Sequence, residues 1–157
     1  MAGETEYEAS PMSYTTLINI AISGQHVDRI ELPPYTELYE YTIWYLRSLN
    51  PYTMLVHRPV FLDLIWKIGN DPNFTPTAPE IVTVHMMLAT HDSHAHYHYA
   101  LTFYSKLIPG DHGWQDVQAL AMICHHLRTF PKPGAAWIMT STVYLFALQL
   151  GLHRSVK

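Results

Sequence analysis

Residues 135–152 contain no charged side chain, and that run limits the fold of this 157-residue chain more than any other feature. Trp137, Ile138, Met139, Val143, Tyr144, Leu145, Phe146, Leu148, Leu150 and Leu152 follow one another closely enough to occupy the whole circumference of a helix. A bilayer crossing needs about 20 apolar residues in a helix, and here Thr140, Ser141, Thr142, Gln149 and Gly151 interrupt a run that is already short. The better reading is a helix walled in by the other helices of a helical protein. Burial of each large side chain is worth about 1.5–3 kcal/mol, yet a terminal helix covers only one face with its own chain. The opposite face is expected to be covered by further polypeptide, and the chain alone to self-associate or to depend on chaperones.

The rest of the chain is well supplied with core material. Hydrophobic residues make up 48% of the sequence and charged residues only 14%, against about 25% charged in an ordinary soluble domain. That balance excludes disorder over the whole length. Nine Lys and Arg against thirteen Asp and Glu give a net charge of −4, the wrong sign for a domain that grips nucleic acid by its phosphates. Cys124 is the only cysteine, so neither an internal disulfide framework nor a zinc site of several thiolates can be built. Residues 1–8 hold three acids and no base, the reverse of a secretory or mitochondrial leader.

Proline and glycine cut the chain into helix-sized pieces. Residues 1–31 read as an acidic, flexible segment in which 16–22 alternates enough for a short strand. Gly24 and Pro33-Pro34 close it. Residues 32–157 are expected to form one all-α domain, an array of about six helices paired antiparallel. Helices are expected at 35–49, from Pro59, from Pro79-Glu80, from Asp92-Ser93 as far as Pro109-Gly110, at 114–129 and at 135–150. Their inward stripes are Leu38, Tyr41, Tyr45 and Leu49; Phe61, Leu64, Ile65 and Ile68; Ile81, Val84 and Leu88; Tyr97, Leu101, Tyr104 and Ile108; Val117, Leu120, Ala121, Cys124 and Leu127. Gly69 suits the left-handed residue that ends a helix, with Pro72 just beyond.

The densest polar chemistry is His91-Asp92-Ser93-His94-Ala95-His96-Tyr97-His98. His94 and His98 are one helical turn apart, a spacing at which two imidazoles can share a metal. A helix reaching back to position 91 would add His91, with Asp92 as an oxygen ligand. Three such ligands and a water would make a hydrolytic zinc centre, so a small metal-binding enzyme on His91, His94 and His98 is one alternative. A membrane-associated helical protein built on 135–152 is another. The metalloprotease pattern, however, needs Glu after the first histidine, where Ala95 stands. The cluster also flanks the Tyr97/Leu101/Tyr104 stripe, which favours histidines packed at the core boundary. Cys124 adjoins His125 and His126, but successive helical side chains diverge by about 100°, and Cys124 falls on the inward stripe as a core thiol. His125 and His126 are of the type that titrates near neutral pH. His57-Arg58 before a helix start and His153-Arg154 at a helix end read as structural. There is no nucleophile elbow and no glycine-rich phosphate loop.

Several short segments, taken in order, are more specific than any periodicity. Leu32-Pro33-Pro34-Tyr35 opens a tyrosine-rich helix, and Asn50-Pro51 and His57-Arg58-Pro59-Val60-Phe61-Leu62 follow it. Val117-Gln118-Ala119-Leu120-Ala121, Ala135-Ala136-Trp137 and Leu150-Gly151-Leu152-His153-Arg154 complete the series. In this order and spacing they resemble the fungal-specific transcription factor domain, the middle homology region of zinc-cluster (Zn2Cys6-type) regulators. Members usually carry arginine at the place of Leu145 and continue past the last segment into an RRRLWW-like helix. The resemblance therefore implies the N-terminal half of a regulatory domain, incomplete over 32–157. It implies a non-enzymatic part in the regulation of DNA-templated transcription, in the nucleus, through effector or protein contacts. The implied partner is a protein or the remainder of a transcription factor. DNA would be reached only indirectly, through an attached or partner zinc-cluster module, and no membrane is involved. The cysteine cluster that holds zinc in family members is absent, so no cofactor, catalytic residue or DNA-binding residue carries over.

Overall fold

A computed structural model describes residues 14–91, 94–128 and 134–154. Among the described residues the protein is all-α, with nine helices and no strand. In order they are α1 (Tyr14–Ala21), α2 (Tyr35–Ser48), α3 (Asn50–Thr53), α4 (Arg58–Asn70), α5 (Ala78–Ala89), α6 (His94–Leu101), α7 (Tyr104–Leu107), α8 (Trp114–Arg128) and α9 (Gly134–Gln149).

The short strand expected at 16–22 is instead the helix α1. Leu17, Ile20 and Ala21 stand at i, i+3 and i+4 and are buried, whereas a lone strand among helices would leave its backbone donors and acceptors without partners. α1 packs against α6 and α9. Residues on the N-terminal side of Leu32 thus share the core of the residues that follow it.

α5 is the hub, in contact with α2, α6, α7 and α8. A capping box fixes its start: the Thr77 backbone N–H donates to Glu80 Oε2 at 2.7 Å, and Pro79 lies in the first turn. Periodicity assigned Ile81, Val84 and Leu88 inward. The structure buries every residue from Val82 to Ala89 and leaves Ile81 half-buried. A helix with neighbours on every side has no polar stripe to reveal its orientation.

Other boundaries have local causes. Asn50-Pro51 ends α2 as expected, then opens a further turn, α3, with Pro51 at its start. The Asn50 side chain clamps the following loop, its Nδ2 donating to Val56 O at 3.0 Å and its Oδ1 accepting from Val56 N at 3.1 Å. Gly69 does not end a helix but lies within α4. A Cβ at that position would overlap the ring of Tyr35, so this glycine serves the close approach of α2 and α4. The helix expected from 92 to Pro109 is divided. Thr102 Oγ1 donates to Tyr99 O at 2.7 Å, and the N–H groups of Thr102 and Phe103 bond three residues back, tightening the chain between α6 and α7. Asp92 and Ser93, expected to cap it, lie outside the described residues.

α9 rests on α8 and touches α1 at its edge. Ala136 and Met139 are buried, and Val143 and Phe146 pack partly against the core. Gly151, at φ 69°, closes the segment in the left-handed conformation. The 16 residues of α9 extend about 24 Å, short of the about 30 Å of bilayer hydrocarbon. Among the described residues no helix is long and apolar enough to cross a membrane.

Candidate functional site

The three histidines singled out in the sequence are not gathered around one point. His91 follows α5, and its ring packs against Tyr41 and Trp44 of α2, with ring centres 4.4 and 5.3 Å away. His94 and His98 lie a turn apart on α6. His94 faces His126 of α8 closely enough to oppose its protonation, and the His98 ring is 5.5 Å from Tyr97. Among the described residues no group of three or more His, Cys, Asp or Glu could hold a metal ion.

α5 and α6 bring together a different pair, which the sequence did not reveal. His85 Nδ1 and His96 Nδ1 are 2.9 Å apart, one ring donating to the other, and Tyr99 stands edge-on to His85 with ring centres 4.7 Å apart. Burial, and then the neighbouring His96, push the His85 imidazole down to about 3. Burial also lowers His96. Both rings are therefore neutral at pH 7, the state in which they share one N–H without desolvating a charge. His85 directly follows the core residue Val84, and only the burial of α5 on all sides turns it inward. Residues 31–33 line the depressions on both sides of the pair, about 410 Å³ at His96 and about 470 Å³ at His85.

Tyr97 and His126 form a second buried contact, their rings 5.0 Å apart. The Tyr97 hydroxyl is enclosed without a hydrogen-bond partner, and burial raises its pKa. His126 is pushed down to about 4 by burial and then by His94 and His125. His125 is lowered by burial and then by Arg128. The two histidines expected to titrate near neutrality are thus displaced to lower pH, because the helix takes them wholly or partly out of water and sets other basic side chains beside them.

The remaining polar groups join helices. Cys124, the expected core thiol, is buried, with Sγ 3.1 Å from Thr140 Oγ1. Thr140 itself donates to Ala136 O at 2.7 Å, so the thiol is the donor that ties α8 to α9. Asp116, in the first turn of α8, is buried and accepts from His112 N at 2.7 Å, next to the positive end of the helix. A groove of about 250 Å³ between α4, α5 and α8 is lined by Asp63, Lys67, Gln115 and Gln118. The first two form an ion pair at 2.6 Å, and His57 beside them is the residue that precedes α4.

The outer side of α9 is different in kind. Trp137 is 74% exposed and Leu145 64%, and Ile138, Tyr144, Leu150 and Leu152 are exposed as well. Ser141 Oγ donates to Trp137 O and Thr142 Oγ1 to Ile138 O, both at 3.1 Å. The hydroxyls of this region are thereby satisfied within the helix, so covering them leaves no donor stranded. No family model matches this chain, and neither a curated protein nor a solved structure matches it.

Proposed function

We propose that this chain is part of a regulatory domain of the fungal zinc-cluster transcription factor kind. In this reading it acts in the nucleus in the regulation of DNA-templated transcription, by contact with other polypeptides or an effector. It neither catalyses a reaction nor carries its own DNA-binding module, and it reaches DNA through an attached or partner module. The observation that carries the reading is the ordered series of segments from Leu32-Pro33-Pro34-Tyr35 to Leu150-Gly151-Leu152-His153-Arg154. Their local roles are in keeping with a structural signature: Pro34 precedes α2, His57 precedes α4 with Pro59 in its first turn, and Gly151 ends α9. Val117, Ala119 and Leu120 of α8 lie in the core. The uncovered face of α9 supports protein contact as the mode of action, since an apolar surface free of charge is the usual mark of a protein interface. The metal-enzyme alternative would require His91 to leave the rings of Tyr41 and Trp44.

The reading is tested by fusing the chain to a DNA-binding module that is already dimeric, so that simple pairing does not count. The fusion is expected to raise or lower reporter transcription several-fold relative to the module alone. Output equal to that of the module alone would overturn the assignment.

A further inference from the structure

The side chains that α9 turns away from its own chain are arranged symmetrically. With about 100° between successive residues, Trp137, Ser141, Tyr144 and Leu145 fall on one stripe with Ile138 at its edge, opposite the packed Ala136, Met139, Val143 and Phe146. Counted from Ser141, the exposed apolar residues stand four and three places before it and three and four places after it. The stripe therefore reads the same in both directions. Two such helices laid antiparallel and crossing at Ser141 would set each Trp137 against Leu145 of the other copy, and each Ile138 against Tyr144. The small serine at the crossing lets the axes approach to about 8–10 Å, the usual separation of packed helices. A two-fold contact requires a self-complementary patch of this kind.

Charge and desolvation favour a second copy as the occupant, and the area sets how weakly it binds. A face laid on itself opposes any charge with its own like, and 135–152 carries none. The Ser141 and Thr142 hydroxyls are already bonded within the helix. The exposed fractions of Trp137, Ile138, Tyr144 and Leu145, the four apolar residues of the stripe, amount to roughly 500 Å², or about 1,000 Å² over both copies, the low end for a specific interface and the size of a weak, reversible one. We infer that α9 pairs with α9 of a second copy, antiparallel, about a two-fold axis at Ser141. This concerns the assembly of the chain and holds whether or not the transcriptional reading does.

Sedimentation equilibrium of the full chain is expected to show the mass rising from 18.1 kDa to twice that value as concentration increases over roughly 1–100 µM. Leu145→Glu changes an exposed residue, so it should keep the helical circular dichroism and melting temperature. It is expected to raise the dissociation constant at least ~100-fold by placing an unpaired charge in the contact. In a Cys124→Ser background, Ser141→Cys should cross-link to itself under mild oxidation. Trp137→Cys should not, because its two copies would lie about 12 Å apart along the helices, beyond the ~7 Å limit between Cα atoms of a disulfide. An equimolar mixture of Trp137→Cys and Leu145→Cys should give the mixed link. A mass of 18.1 kDa at every concentration, growth beyond the dimer, or a 137–137 link would overturn the arrangement. If Leu145→Glu lowers the melting temperature, the cysteine series alone decides.

Discussion

α5 and α9 are both apolar helices, yet one is enclosed on all sides and the other on only one. α5 lies mid-chain, with α2, α6, α7 and α8 packed around it, so that even Thr83 and His85 are buried. α9 comes last among the described helices and meets only α8 and the edge of α1 at any length. It carries no charged residue at all, but Trp137, Tyr144 and Leu145 face outward. Apolar content thus fixes how much surface a helix would gain by leaving water, whereas the helices packed around it fix how much of that surface is covered. What is left over on α9 is an uncovered apolar face.

The contrast can be broken most severely at the centre of α5. Val84→Asp, in a position of 0% exposure, should cost more than ~4 kcal/mol by burying an unpaired carboxylate. An unchanged urea midpoint would show that α5 is not the hub. Acidification acts on the same region. His85 and His126 are held below their unfolded value, so the unfolded chain binds more protons once the pH falls below about 6.5, and stability declines as pH falls. The loss should be about 2 kcal/mol for each of the two by pH 5, read from denaturant melts at pH 7 and 5. Replacing His85 by Asn should remove most of its share of the slope.

Smaller effects sharpen the contrast. Gly69→Ala normally favours a helix, but here the new methyl group meets the Tyr35 ring, and a loss of about 1–3 kcal/mol is expected from thermal melts. Tyr97→Phe removes a buried hydroxyl that has no hydrogen-bond partner and should be neutral or stabilise by up to ~1 kcal/mol. Leu145→Ala on α9 should change the stability of the single chain by less than ~0.5 kcal/mol. A large loss there would mean that the outward face is in fact covered.

Much of the helical layout was legible because its signals are local. Pro34, Pro51, Pro59 and Pro79 each fall at or next to a helix start, since proline fixes one backbone angle and lacks an N–H. The stripe of Phe61, Leu64 and Ile65 was equally readable. α1 was not: alternation over a few apolar residues does not distinguish a strand from a short buried helix. Gly69 was misread for a related reason, because close packing against Tyr35 leaves no mark on the glycine's own neighbours in sequence. The histidine cluster was legible as composition only. Periodicity joined His94 to His98, whereas the fold joined His96 to His85, eleven residues away.

The sequence by itself determined that this chain is helical, where most of its helices begin, and that 135–152 is costly to leave in water. These follow from backbone geometry and from the cost of wetting apolar surface, which depend on residues close together along the chain. Only the tertiary structure decided that α5 takes the centre, that His85 meets His96, and that α9 keeps one face uncovered. Each of those depends on which helices come to lie side by side, and that is set by packing many residues apart rather than by the spacing within any one segment.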